Sequence, residues 1–286
     1  MTELKPRTYL LRIEKERYHP WFKTVAVEKS LVNEYRNIVL VPYATSISHA
    51  TSTKEEIIRI FLLPADSQAF SLDKKNNLID KNGGVLAPNI HVFSKKDDTI
   101  YLIDKNGFLG RYHMATGIID VLGRPGFYLA EKNFRFIFSP QNDLSIIDPS
   151  GGLFFLLSGE TLEVITGGVK QARFDSESNK LLVIKENQLF VRWIRPNTAQ
   201  PFQKEKEEDL IIELNTKILD AAWFYETSAH IAIRTAEGIF LTEIDGRGGR
   251  NTAEIQSGKT EELSTSPLAP NAIFYRKEKT WFRVEL

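Results

Sequence analysis

Three stretches decide how this chain folds: ARFDSESNKLLVI at 172–184, AWFYETSAHIAI at 222–233 and AIFYRKEKTWFRV at 272–284. Ala172, Ala222 and Ala272 are spaced by 50 residues, and so are Phe174, Phe224 and Phe274. Each Phe is followed by a polar turn and then an apolar strand. A shorter copy, FIFSPQNDLSIID at 136–148, puts Phe138 in the same role. One unit reads as an inner strand ending in an aromatic, a turn, and an apolar second strand. A turn at 236–238, a third strand over Ile239 to Ile244 and a polar fourth strand complete it. That is the four-stranded antiparallel blade of a β-propeller, whose repeat falls near ~40–50 residues. A β-sandwich also uses many short strands, but the repeated Ala-x-Phe register favours the propeller.

Working outward, the hexapeptide LIDKNG occurs at 78–83 and again at 102–107. Leu-Ile before it and Val-Leu or Phe-Leu after it are strand formers. Asn and Gly between them accept positive φ at little cost, so each copy predicts a hairpin. SIIDPSGGLF at 145–154 and AIRTAEGIFL at 232–241 are looser versions. Units near 66–121, 127–165, 169–214, 219–256 and 268–286 predict five to six blades.

The fold class is therefore all-β: a β-propeller over 56–286, preceded by a linker at 43–55 and a small partial β-sandwich unit at 1–42. In that unit TYLLRIEKE, WFKTVAVEKS and NEYRNIVLVP read as three strands. The polar stretches 196–208 and 256–268 read as loops. The final blade then has two strands, and the orphan strand EEIIRIFLLP suggests ring closure by pairing of 56–63 with 271–285, which would remove two open edges.

Lys plus Arg equals Asp plus Glu at 37 each, so the basic excess that nucleic acid demands is missing. The absence of cysteine excludes disulfides, thiolate metal sites and cysteine catalysis. No apolar run approaches the ~18–20 residues of a membrane span, and the N-terminus has no signal-peptide core.

WFYETSAHIAIRTAEGIFLTEIDGRGGRN at 223–251 resembles TolB-like propeller repeats, in which a strand ends in an Asp-Gly turn before the outermost strand. YLLRIEKERYHPWFKTVAVEKSLVNEYRNIVLVP at 9–42 resembles the second half of a PEGA domain, with Glu16-Arg17-Tyr18 at a lysine-aromatic turn. The Pro-Glu-Gly-Ala signature is absent, as for a PEGA domain truncated at its N-terminus. Arg17 stands where these domains commonly carry glycine. The resemblance implies a propeller attached behind a PEGA domain at the bacterial cell envelope, facing outward.

Residues suited to chemistry are sparse. His19, His49, His91, His113 and His230 have no partners at metal-ligand spacing, and no G-x-S-x-G elbow exists. His113 is better read as a hydrogen-bonded strand residue than as one facing a channel. The oxygen-rich run DKKNNLIDKNGG at 73–84 misses EF-hand spacing and contains three lysines, so a hairpin fits better than calcium. In IDGRGGRN at 244–251 the exposed amides, Arg247 and Arg250 suit an anion, but the strand-to-helix context of a phosphate loop is missing and a blade turn fits better. Trp193, Trp223 and Trp281 suit stacking at a propeller mouth or packing between blades.

The expectation is a non-catalytic binding or scaffold protein with no metal and no cofactor. Its partner is a protein or a surface polysaccharide, and its candidate ligand-surface residues are Trp193, Trp223, Arg247 and Arg250. The alternative is a propeller enzyme, or an accessory domain, acting on glycans or peptides. That alternative requires carboxylates converging about 5–10 Å apart.

Overall fold

The computed structural model describes residues 4–43, 47–49, 69–156 and 162–286. Every element among them is a strand, and no α-helix occurs there. The chain divides into two compact units, one of 1–53 with 173–286 and one of 54–172.

At the N-terminus β1 (Arg7–Ile13) and β2 (Trp21–Val27) form a two-stranded antiparallel sheet, and β3 (Ile47–His49) follows. β4 (Phe70–Leu72), β5 (Leu78–Asp80) and β6 (Val85–Ala87) make a three-stranded sheet. Four-stranded meanders come next. β7 (Ile90–Lys96), β8 (Thr99–Asp104), β9 (Leu109–His113) and β10 (Ile118–Gly123) form one, and β11 (Arg135–Phe138), β12 (Leu144–Ile147), β13 (Leu153–Leu156) and β14 (Glu163–Thr166) the next. A third comprises β15 (Gln171–Phe174), β16 (Lys180–Ile184), β17 (Gln188–Trp193) and β18 (Glu208–Glu213). A fourth comprises β19 (Asp220–Phe224), β20 (His230–Arg234), β21 (Gly238–Glu243) and β22 (Thr252–Ser257). In the last sheet β23 (Glu262–Ser266), β24 (Ala269–Lys277) and β25 (Thr280–Glu285) are joined by β3.

Within each unit the sheets stack face to face, which explains their sequences. β20 buries Ile231 and Ile233 against β16 and β17, through Leu182, Ile184, Leu189 and Val191. It buries Ala232 on the opposite face, with Ile273, Tyr275 and Val284 of the last sheet. A strand covered on both faces reads as a continuous apolar run rather than an alternating one, as KLLVI, LSII and LFFL do. In the other unit Tyr101, Ile103 and Leu109 pack on Leu144, Ile146 and Phe154. A register shift between third and fourth strands recurs at Leu153/Phe154, Leu189/Phe190 and Ile239/Phe240, adding local twist to each sheet.

The turns share one device. At Asp80, Asp104 and Asp148 the carboxylate Oδ1 accepts the amides two and four residues on, at 2.8–3.0 Å. Gly83, Gly107 and Gly151 supply φ of +82 to +85°. In LIDKNG only the glycine takes the left-handed conformation; Asn82 and Asn106 do not. Asp73 repeats the device with Asn76 at φ +62°, so its carboxylate faces its own turn. The amide of Asn77 chiefly holds Asp73 below the usual carboxylate range. Among the described residues no cluster of three or more acidic or histidine side chains is placed to hold a metal.

Several expectations change. Ala222-x-Phe224 and Ala172-x-Phe174 lie in the first strands of their sheets, but Ala272 and Phe274 lie in a second strand. The first strand of that sheet, β23, comes from the polar stretch 256–268 expected to be a loop; in Glu262–Ser266 only Leu263 and Ser266 are buried. The edge of β25 is taken by Ile47–His49, from the expected linker, at Phe282 to Val284. The expected closing strand 56–63 lies outside the described residues. Residues 33–42 are not a strand. A single bridge joins Tyr18 to Pro42, because Val41 and Val39 pack instead into the core of the last two sheets.

Candidate interaction site

β2 alternates Trp21, Lys23 and Val25 inward, and all three are buried. The lysine is fully buried because the β21–β22 connection, residues 244–251, is built to receive it. Lys23 Nζ pairs with Glu243 Oε1 at 2.6 Å and donates to the Asp245 carbonyl at 2.8 Å and to that of Gly249. Glu243 also accepts from Trp21 Nε1 at 3.0 Å and from the Asn251 amide at 2.7 Å. The Asn251 side chain grips the Phe22 backbone at both N–H and C=O, each at 2.9 Å. Thr24 N–H donates to the Gly248 carbonyl at 3.0 Å. Gly248 is required there: at φ +64°, a Cβ would sit 2.1 Å from the Thr24 oxygen.

The glycine-rich connection thus binds a cation through its carbonyls. Its own cation, Arg247, is committed to Asp245, to Gln200 Oε1 at 2.7 Å and to the Glu34 carbonyl at 2.8 Å. Its guanidinium lies 4.6 Å from the Tyr35 ring centroid. Burial raises the Asp245 carboxyl, but the Arg247 hydrogen bonds outweigh it and hold the group below its ordinary range. Arg250 packs against Gly246 and donates to the Ile244 carbonyl at 3.4 Å. Both arginines are committed within the connection and its neighbours rather than arranged as an anion grip, the lesser of the two readings of 244–251. His230, buried beneath this cluster, takes a bond from or gives one to Thr227 Oγ1 at 3.1 Å; burial lowers its pKa to about 4.

This docking brings residues 36–37 to one wall of a cleft of about 320 Å³. The β15–β16 turn supplies Ser176 and Asn179, the β19–β20 turn supplies Tyr225 and Glu226, and the β17–β18 connection supplies Asn197 and Gln200. Burial raises the Tyr225 hydroxyl pKa. At the cleft floor Lys180 pairs with buried Asp175 at 2.8 Å and lies 5.3 and 5.5 Å from the ring centroids of Trp193 and Trp223.

Trp223, expected at a ligand surface, is 1% exposed and instead fills the space between stacked sheets, its Nε1 donating to the Arg173 carbonyl at 3.0 Å. Trp193 lines the cleft but is 6% exposed, with Nε1 on Asp209 at 3.2 Å. His113 is a hydrogen-bonded strand residue, 2.8 Å from Asp120, and that bond chiefly lowers the Asp120 pKa. The reading of residue types alone missed Lys23, Glu243 and Asn251. Its one available signal was a lysine on the apolar face of an alternating strand.

No protein-family model matches the chain, and no curated protein matches it. Solved structures do. A eukaryotic initiation factor is similar at a TM-score of 0.50 and 8% identity, over 72% of this chain and 55% of that one. YCF48 from Cyanidioschyzon merolae is similar at 0.44 and 8%, over 67% and 65%. The C-terminal WD40 domain of Sif2 is similar at 0.40 and 11%, over 76% and 77%. The chain spans less than two thirds of the length of the first two. The repeated four-stranded antiparallel sheets define an all-β, propeller-like chain. At such identity the likeness speaks to fold alone.

Proposed function

We propose that this chain is a non-catalytic protein-interaction scaffold whose binding surface is the cleft walled by residues 36–37, the 175–179 and 225–229 turns and the 195–201 connection. One observation carries the reading: a preformed polar cleft framed by turns of two neighbouring sheets and completed by a docked N-terminal segment. Rigid sheets that present connecting loops are a common way to build a binding surface.

Trp193 and Trp223 offer no free face for a sugar, because both are buried and Lys180 lies between them. That favours a protein over a polysaccharide. The acidic groups nearest the floor, Asp175 and Asp245, are held in ion pairs by Lys180 and Arg247 and serve the architecture. In the finer form of this proposal the sheets are five to six propeller blades of TolB-like type behind a PEGA-like unit, and the partner lies at the cell envelope. Its support is the resemblance of 9–42 and 223–251.

The test places a photo-crosslinking amino acid at Thr198, on the cleft rim, and at Thr116, exposed in the other unit. A defined protein adduct at Thr198 and none at Thr116 supports the reading. Equal labelling at both positions, or none at Thr198, contradicts it.

A further inference from the structure

We infer that the cleft and an apolar groove beside it form one track for an extended peptide segment carrying an apolar side chain and a basic one. The inference rests on the protein-binding reading above and deepens it.

The groove, about 460 Å³, runs between the N-terminal segment and the β17–β18 connection. Leu31, Val32 and Phe202 line it and are 63%, 77% and 69% exposed. Single exposed apolar residues are ordinary, but three lining one groove mark a contact surface. Gln200 and Pro201 line both groove and cleft, so the two are continuous. Gln200 is rigidly held, accepting from Glu34 N–H at 2.9 Å and donating to the Val32 carbonyl at 2.8 Å.

Charge sets the other requirement. The cations of the cleft are satisfied internally: Arg36 by Glu34 at 2.8 Å, Lys180 by Asp175 at 2.8 Å, and Arg195 by the Ser178 carbonyl. Glu226 is exposed in the cleft, and among the described residues its carboxylate has no hydrogen-bond or ion-pair partner. A basic side chain complements it; an acidic one meets like charge. The exposed Asn37 side chain, unpartnered among the described residues, offers an amide NH2 donor group and a carbonyl acceptor to a peptide backbone.

Selection of a random twelve-residue phage-displayed peptide library on the immobilised full chain tests this. Enriched sequences are then titrated as fluorescein-labelled peptides. The expected consensus pairs an apolar residue with Lys or Arg. Phe202→Ser weakens binding about 10-fold or more, as loss of an anchor does. Glu226→Gln weakens it about 3–5-fold and flattens the salt dependence, as loss of an exposed ion pair does. Val164→Thr, at an exposed apolar site of the other unit, leaves binding unchanged. Phe202 in the groove and Glu226 in the cleft are both exposed, so neither change threatens the fold. Peptides that need Phe202 but carry acidic or no charged residues overturn the inference and leave the scaffold reading standing. No enrichment, or binding indifferent to both substitutions, overturns both.

Discussion

Lys23 and Glu243 form an ion pair with side chains 0% and 7% exposed, their charged atoms 2.6 Å apart, and this contact fixes the N-terminal hairpin to the β19–β22 sheet. A two-stranded hairpin is marginal by itself. Here both faces of β1 are largely exposed, and the hairpin is held through one face of β2. Removing one partner strands a buried charge, a loss of about 3–5 kcal/mol. Lys23→Met is therefore expected to lower stability by that amount in urea titration. Lys23→Met combined with Glu243→Gln recovers more than half of it, because no lone charge remains buried.

Gly248 and Gly249 separate crowding from backbone strain. Both have positive φ, +64° and +102°, but only Gly248 faces a neighbour. Gly249→Ala is expected to cost about 1 kcal/mol, the price of a left-handed alanine. Gly248→Ala adds the clash with Thr24 and frees the hairpin. Limited proteolysis checks this: cleavage within residues 1–42 accelerates at least tenfold over wild type for Gly248→Ala, and far less for Gly249→Ala.

His230 makes stability depend on pH. Its folded pKa of about 4 lies below the ordinary 6.5, so the unfolded chain takes up the proton first. The stability that neutral His230 permits is complete above pH 6.5 and declines as pH falls from there to about 4, by roughly 3 kcal/mol. Urea titrations at pH 7.5, 6.0 and 4.5 on wild type and His230→Asn check it. The variant shows the shallower decline over that window.

Each turn carboxylate accepts the amides of its own turn. Asp104→Ala leaves two turn amides without their acceptor, a cost of about 1–2 kcal/mol. Asp148→Ala costs more, because its buried carboxylate also accepts from the Tyr128 amide and the Ser150 hydroxyl. Asp104→Asn keeps an oxygen acceptor and loses less than half as much. Thermal unfolding ranks the three variants.

The legible part of the fold lay where local chemistry and packing agree. Phe174, Phe224 and the Asp-x-x-Gly turns are specified by neighbours within a few residues. β23 was not legible, because its partners are β24 and the core around Leu263, and Glu262, Ser264 and Thr265 carry no apolar signal. Ile47–His49 was hidden for the same reason: three residues gain strand character only from the edge of β25. The site was less legible still. Lys23 looks like a surface residue until Glu243 and the carbonyls of 245 and 249 surround it. Arg247 looks like a ligand grip until Asp245, Gln200 and Glu34 occupy it.

Amide hydrogen exchange on the full chain tests most directly whether residues 4–42 are docked so that 36–37 form one cleft wall. Phe22 N–H donates to the Asn251 side chain and Thr24 N–H to the Gly248 carbonyl. Both are predicted to exchange as slowly as the β20 and β21 amides. Exchange of these two at the rate of a free hairpin, with β20 and β21 still protected, would contradict the account.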